Sequence, residues 1–447
     1  MISLSSIRDS FEGVIPSVIA TADAYGMPNV SYLSHVYYVD ERHVALSNQF
    51  FSKTAANVAA NGLATVLVVD GFTGDQHVLD LSFERSETEG ETFEHVERHL
   101  ALLEQGMSHV MKLRAVDIYQ VDDCRPVPAA NPLELPPVHG EHRRDHLALA
   151  AELAQSLTEE NDAERLLDAA LEGLERLFGF RHSMVLVPDS GHSRLTTIAS
   201  RGYQEFGFGA EVAFGKGVIG LAASALKPVR VTDFSRGRRY LSAVNAMGGI
   251  DEDVRIPLPA LPAPLSQLAV PMLAHGRLMG VLFAEADKAF TFRYADEQAL
   301  RLIAAQLALS LFWAESERER QEPETPPAAV PAKVPVDGAR TISLRFYPRD
   351  ASVFMDGEYL IRGVPGRLLW HMLEQYAASG RQDFLNREIR RDRSLQLPDF
   401  KDNLETRLIL LRRRLDEKDG PIRITRPERG RMRLEVDGRA DLSVIEE

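Results

Sequence analysis

The 447-residue chain has a single cysteine, Cys124, which excludes an intramolecular disulfide framework and any metal cage built from thiolates alone. It has no long hydrophobic run. The longest, around Leu302 to Ala314, reaches about two thirds of the ~20 residues that a membrane span needs. The opening MISLSSIRDSFEG lacks a basic start followed by an apolar stretch, so no secretory leader is expected. Excess positive charge is missing too: 51 Lys and Arg stand against 65 Asp and Glu, a formal charge of −14, so the molecule as a whole is not a general polyanion binder. These absences point to a cytoplasmic protein in a reducing compartment, with no membrane partner.

What is present is ordinary globular material, 45% apolar and 26% charged, long enough for roughly three domains. Two proline-dense stretches divide it: Cys124 to His142, with Pro126, Pro128, Pro132, Pro136 and Pro137, and Glu322 to Gly338, with Pro323, Pro326, Pro327, Pro331 and Pro335. Proline at that density blocks both helix and ladder hydrogen bonds and leaves extended spacers. The expected units are residues 1–123, a linker 124–143, residues 144–320, a linker 321–339, residues 340–438 and an acidic tail 439–447. Charge is shared unevenly. Residues 340–438 carry 21 Lys and Arg against 16 Asp and Glu, a net +5 that leaves −19 on the rest. A basic C-terminal unit on an acidic chain points to a polyanion partner for that unit alone.

In the first unit, Ser17–Thr21, Asn29–Val39, His43–Ser47 and Ala64–Asp70 read as strands, with turns at Tyr25-Gly26 and Asp40-Glu41. Ser52 to Gly62 reads as a short helix opened by Ser52 as N-cap. Free amides, a hydroxyl pair (Ser52, Thr54) and the Lys53 ammonium at a helix start suit a phosphate, although a capped surface helix is the commoner meaning of such a segment. The order strand, Gly26-Met27-Pro28-Asn29-Val30 turn, strand, ALSNQFFSKTAAN, strand resembles the split-barrel flavoproteins of the pyridoxamine 5′-phosphate oxidase-like superfamily, over about residues 5–122. The resemblance implies FMN at a dimer interface, its phosphate met by Ser52, Lys53 and Thr54. Val30, Ser31, Ser47, Asn48 and Gln49 would then face the isoalloxazine. The oxidases place two cations after the serine, where this chain has Lys53-Thr54, and no basic set for a second phosphate is visible. FMN binding without vitamin oxidase activity is the expectation, and no catalytic residue is assigned. His95 and His99, one turn apart on a helix, read as solvated rather than metal-binding.

The second unit has apolar residues at helical spacing over His146–Ser156 and Ala163–Phe178. Strand-like runs begin at His182, Arg194, Pro228, Gln267 and Arg277, and a long helix runs from Ala295. This describes an antiparallel sheet with helices on one face. ASRGY (Ala199–Tyr203), GKGVIGLAASALKPVRVTD (Gly215–Asp233), LAVPMLAHGRLMGVLFAE (Leu268–Glu285) and FTFRYADEQALRLIAAQLALSL resemble, in order, the motifs of a GAF domain over about residues 144–314. That resemblance implies a small ligand under a roof formed by Arg236–Pro264. Its identity is open, except that the absence of cysteine here excludes a thioether-linked bilin. The flanking helices resemble those that pair in GAF dimers, so a homodimer is expected.

The third unit reads as short strands turning at Asp356-Gly357, a first helix after Pro365, a second over Phe384–Arg391, and a third over Asp402–Lys418. The third buries a stripe of Leu404, Leu408, Leu411 and Leu415, and a basic hairpin follows around Pro427–Gly430. This resembles the winged-helix output domain of OmpR-type response regulators, DNLETRLILLRRRL matching the recognition helix. The resemblance implies double-stranded DNA as partner: Asn403, Thr406, Arg407 and Arg413 on bases, and Lys401, Arg412, Arg414, Arg429 and Arg431 on phosphates. Leu410, opposite the leucine stripe, departs from the family pattern, as does Arg431-Met432 at the wing's end. The fold class is therefore multidomain α+β: a split β-barrel, a GAF-type antiparallel sheet with helices, and a winged helix-turn-helix. The functional expectation is a flavin- or ligand-responsive transcriptional regulator. A flavin-dependent oxidoreductase regulated by its other domains, and a non-catalytic scaffold, are the alternatives.

Overall fold

The computed structural model describes residues 2–12, 15–33, 35–48, 52–103, 113–128, 145–160, 162–189, 191, 193–234, 256–321, 340–392, 395, 404–428 and 430–445.

A 3-10 helix (Leu4–Ser10) precedes strands β1 (Ser17–Ala22), β2 (Pro28–Leu33), β3 (Val36–Tyr38), β4 (His43–Asn48), β5 (Leu63–Val69), β6 (Gln76–Glu87) and β7 (Ala115–Pro126). Helix α1 (Ser52–Asn61) joins β4 to β5, and α2 (Glu91–Leu103) joins β6 to β7. The strand order is β2-β1-β5-β6-β7-β4-β3. The two end strands are consecutive in the chain, so Leu33 and Val36 must lie close together, and the sheet curls round on itself to bring them there. Its interior holds Ile19, Leu33, Val44, Leu46, Val66, Val68, Leu79, Leu81 and Val121. Strand β7 runs to Pro126, so the spacer expected to begin at Cys124 starts later: Cys124 is buried in the barrel core.

The second unit opens with helices α3 (His146–Thr158) and α4 (Ala163–Gly173), each capped by an aspartate, Asp145 and Asp162. A single π turn follows, Leu174–Phe178. Strands β8 (His182–Pro188), β9 (Arg194–Arg201), β10 (Glu211–Ala213), β11 (Val229–Val231), β12 (Ser266–Ala274) and β13 (Arg277–Ala286) form an antiparallel sheet in the order β10-β9-β8-β13-β12-β11. Alternation divides its faces. Leu268, Val270, Leu282 and Ala284 pack with α3, α4 and α6 (Tyr294–Gln321). Ala269, Val281 and Phe283 pack against α5 (Gly217–Ala225). Helices cover both faces, correcting the expectation of one. The continuous apolar run of α5, Val218-Ile219-Gly220-Leu221-Ala222-Ala223, gave no face to read.

The third unit has β14 (Thr341–Tyr347), β15 (Ser352–Met355), β16 (Glu358–Ile361), α7 (Gly363–Ser379), β17 (Asp383–Leu385), α8 (Asn386–Arg391), α9 (Leu404–Glu417), β18 (Ile422–Glu428), β19 (Arg431–Val436) and β20 (Arg439–Val444). The sheets run β16-β15-β14-β20 and β17-β19-β18. Two expectations are corrected here. Residues 383–385 are a strand, paired with β19 and only then followed by helix. Residues 439–444 are not a tail but β20, parallel to β14 from Thr341↔Arg439 to Phe346↔Val444. Among the described residues no helix is long and apolar enough to cross a membrane.

Candidate functional sites

Of the residues expected to hold a flavin, Thr54 on α1 is hydrogen-bonded to Asn29 beside Val30 and Ser31 on β2, whereas Ser47 and Asn48 lie on β4 against β7. Three side chains stitch α1 to the β1–β2 hairpin: Asn29 Nδ2 donates to Thr54 Oγ1 at 3.0 Å, Asn57 Nδ2 to Thr21 Oγ1 at 3.0 Å, and Asn61 Nδ2 to the Ala22 carbonyl at 2.8 Å. Thr54 is thereby buried, whereas Lys53 is exposed. No acidic residue sits in the first turn of α1. On β2, Val30 is exposed and Ser31 half-buried. Ser47 is buried on β4, and Asn48 donates to Asp117 Oδ2 at 3.1 Å. Burial pushes the Asp117 carboxyl up, while Ser86 and Asn48 donate to it and partly offset that. Gln49 lies outside the described residues, as does the side chain of Ser52. An exposed ammonium in a first helical turn that has no acidic residue fits a phosphate. Val30 and Tyr32 alternate with Asn29 along β2 and so lie on its other face, and with Met27 they are all more than half exposed.

A ring cluster joins β3 and α2. His99 is buried, its ring centroid 5.4 Å from His35 and 5.5 Å from Tyr37. The expectation of solvated histidines is corrected for His99: α2 turns it inward against β3. Burial first, and the neighbouring His35 second, push its pKa down to about 3, against the opposing pull of Glu12. Burial alone would raise Glu12, but Arg8, His95, His99 and Arg230 outweigh it and hold the carboxyl at about 2. Among the described residues no three His, Cys, Asp or Glu side chains are placed to hold a metal ion.

In the second unit, the α5 face of the sheet carries a polar row that sequence reasoning missed. His182, Glu285 and Gln267 are register partners on β8, β13 and β12. Glu285, 2% exposed, accepts from the Leu261 amide at 2.7 Å and from Gln267 Nε2 at 3.0 Å. Burial raises its pKa, and these donors only partly counter it. It ties residues 256–265 over the sheet. The available signal was a carboxylate inside an otherwise apolar strand. Of the expected roof, residues 236–255 lie outside the described residues.

Of the residues expected to read DNA, those described are buried or half-buried. Thr406, Arg407, Arg413 and Arg414 are all buried. Arg407 donates to the Pro188 carbonyl at 2.6 Å. Arg413 reaches Glu164 at 3.1 Å, Asp168 at 2.6 Å and the Ile198 carbonyl at 3.1 Å, with Phe208 beneath its guanidinium. Arg412 pairs with Glu164. Burial first, then the adjacent Arg426, lowers the Arg412 pKa. The other two cations serve their own unit: Arg414 donates to the Leu360 carbonyl at 2.9 Å, and Arg431 pairs with Asp383 at 2.9 Å. The expected solvent-facing reading surface is thus not what α9 presents, because its outer side packs on the second unit. Lys401, Asn403 and Arg429 lie outside the described residues.

Two family models match the chain: that of pyridoxamine 5′-phosphate oxidase over residues 6–122, and that of the GAF domain over residues 160–311. The chain therefore carries a split barrel of the first type followed by a GAF domain. No curated protein matches it. Among solved structures, it is similar to an FMN-binding protein from Syntrophomonas wolfei subsp. wolfei (16% identity, 29% of this chain and 93% of the other, TM-score 0.24). It is also similar to the GAF domain of an Acinetobacter phosphoenolpyruvate-protein phosphotransferase (19%, 40% and 97%, TM-score 0.31). A third is the free methionine-R-sulfoxide reductase of Neisseria meningitidis (20%, 38% and 90%, TM-score 0.30).

Proposed function

We propose that a chain joining an oxidase-type split barrel to a GAF domain is a ligand-responsive transcriptional regulator of the cytoplasm. In this reading the barrel takes FMN, the GAF domain takes a second small ligand, and residues 340–444 are a winged helix for double-stranded DNA. The observation that carries the DNA assignment is the C-terminal order: strands, α7, β17, α8, α9 and the hairpin β18–β19, with β19 closing on β17. That order supports a winged-helix output domain, and the basic charge of the unit supports a nucleic-acid partner.

FMN would be held at the start of α1, with Lys53 as the cation and the amides of the first turn as donors, and Asn29 and Thr54 fixing the helix in place. Bound flavin supplies redox chemistry. This chain's own part is to bind and orient it, Lys53 neutralising the phosphate and the β2 side chains Val30 and Tyr32 covering apolar ring area. Those side chains lie on an exposed outer face with Leu63, where an apolar patch favours a partner surface. A second copy of the chain would cover it, giving a homodimer.

The test is the absorption spectrum of the purified full-length protein, with the released ligand identified after denaturation. FMN near one per chain is expected. Lys53→Ala is expected to weaken FMN at least tenfold, because a charge-assisted contact contributes about 1.5–3 kcal/mol. Colourless protein that stays colourless with added FMN overturns the flavin assignment. Rapid NAD(P)H consumption by flavin-loaded protein points to the oxidoreductase instead.

A further inference from the structure

Helix α9 has two buried sides. The stripe Leu404, Leu408, Leu411 and Leu415 lies in its own unit's core. A second stripe, Thr406, Leu410, Arg413 and Glu417, follows the same spacing on the opposite side. In an isolated unit that stripe would face solvent. Here Leu410 is 2% exposed, and Glu417 accepts from the Gly207 amide at 3.0 Å. The surface it meets is the GAF domain: Pro188 at the end of β8, Ile198 in β9, Gly207 and Phe208 in the β9–β10 connection, and Glu164 and Asp168 on α4. Asp162, the N-cap of α4, adds a contact to Arg426 at 3.4 Å, and Glu211 on β10 pairs with Arg362.

We propose that the acidic side of GAF helix α4 acts as an intramolecular substitute for DNA phosphates, holding α9 docked so that duplex DNA binds only after the two units part. The inference rests on the winged-helix reading above. Its physical basis is competition for the same charges. Arg407, Arg412 and Arg413 donate to carboxylates and carbonyls of the GAF domain, and a phosphate cannot reach those donors while the contacts stand; Arg426 is shared between Asp162 of the GAF domain and Glu405 of its own unit. Leu410 fits this role: a leucine on a DNA-reading face is poorly placed for phosphates or most base edges, but well placed in a buried interface between domains. Parting the units exposes the stripe and frees the guanidinium groups of Arg407, Arg412 and Arg413 at once. Removing Glu164 and Asp168 takes the carboxylate partners from Arg412 and Arg413 and leaves the buried Arg413 charge on carbonyl oxygens alone, which favours the open arrangement.

The experiment uses the full chain and a Glu164→Gln/Asp168→Asn variant, with two readouts. One is amide hydrogen exchange over residues 404–417. The other is affinity for a mixed-sequence duplex about 30 base pairs long at about 0.1 M salt, where phosphate contacts dominate. The expected result is faster exchange in α9 together with at least tenfold tighter DNA binding. Wild-type protein that already binds as tightly as the variant, with α9 exchanging faster in the variant, overturns the occlusion and leaves the DNA reading standing. Faster exchange with no DNA binding by either protein at any salt overturns the DNA reading, and the proposal with it. Unchanged exchange overturns the acidic hold. If the double variant fails to fold, Glu211→Gln, which weakens the same contact at Arg362, carries both readouts.

Discussion

Two helix segments of this chain carry cations that the sequence marks as anion-binding, and the fold treats them in opposite ways. Lys53, at the start of α1, stays exposed; asparagine and threonine side chains fix the helix and leave the ammonium alone. Arg412, Arg413 and Arg407 in α9 have their charge spent on Glu164, Asp168 and the Pro188 carbonyl. The difference lies in what faces each segment. Opposite α1 are the neutral β1 and β2, and opposite α9 is an acidic helix from another domain. A cation in the sequence says what a segment is able to bind. Only the tertiary neighbour decides whether it is already bound.

Breaking the buried side of this comparison has the largest expected effect. Arg413→Ala leaves Glu164 and Asp168 without their shared partner, and is expected to cost about 3 kcal/mol, read as a lower urea midpoint for the transition that unfolds α9. An unchanged midpoint would show that the contact contributes nothing.

Acid titration sharpens the comparison from the barrel. His99, held at about 3, stays neutral in the native state, while the unfolded chain takes up a proton near pH 6.5. Its pKa is depressed on folding, so its contribution is complete above about pH 6.5 and shrinks as pH falls toward about 3. Glu12, held at about 2, adds a second loss below its unfolded value near 4.5. The urea midpoint of the barrel is expected to fall continuously on acidification. His99→Phe, which keeps a ring between His35 and Tyr37, is expected to flatten the part between about pH 6.5 and 5. An equal slope in both proteins would refute the assignment. The smallest expected effect is on the exposed side: Lys53→Ala changes stability by less than about 0.5 kcal/mol, whatever it does to flavin, as thermal unfolding without added ligand will show.

The sequence made the locally encoded parts legible. Alternation marked β1, β2, β4 and β5, spacing marked α3, α4 and the leucine stripe of α9, and motif order marked the barrel and the GAF domain. It missed what depends on distant partners. Strand β20, Arg-Ala-Asp-Leu-Ser-Val, alternates well enough, but its partner β14 lies about a hundred residues earlier. Strands β6 and β7, which carry Asp80, Asp117, Asp122 and Asp123, were not among the strands read from the sequence. Asp383-Phe384-Leu385 became a strand because β19 returns to it. Glu285 was hidden because a buried carboxylate is identified by the amide it receives, here Leu261 across the sheet. Leu410 was the one local sign of the α9 interface: it broke the pattern expected of a DNA-reading helix, and the surface that explains it belongs to another domain.

The most direct measurement is arginine modification of the full-length protein with phenylglyoxal, with the rate at each site followed by peptide mapping. The account predicts fast reaction at the exposed Arg423 and Arg439, and protection of Arg407, Arg413 and Arg414, lost for Arg407 and Arg413 in the Glu164→Gln/Asp168→Asn variant. Equal rates at all five in the wild-type protein would contradict it, because α9 would then present its cations to solvent with no GAF surface over them.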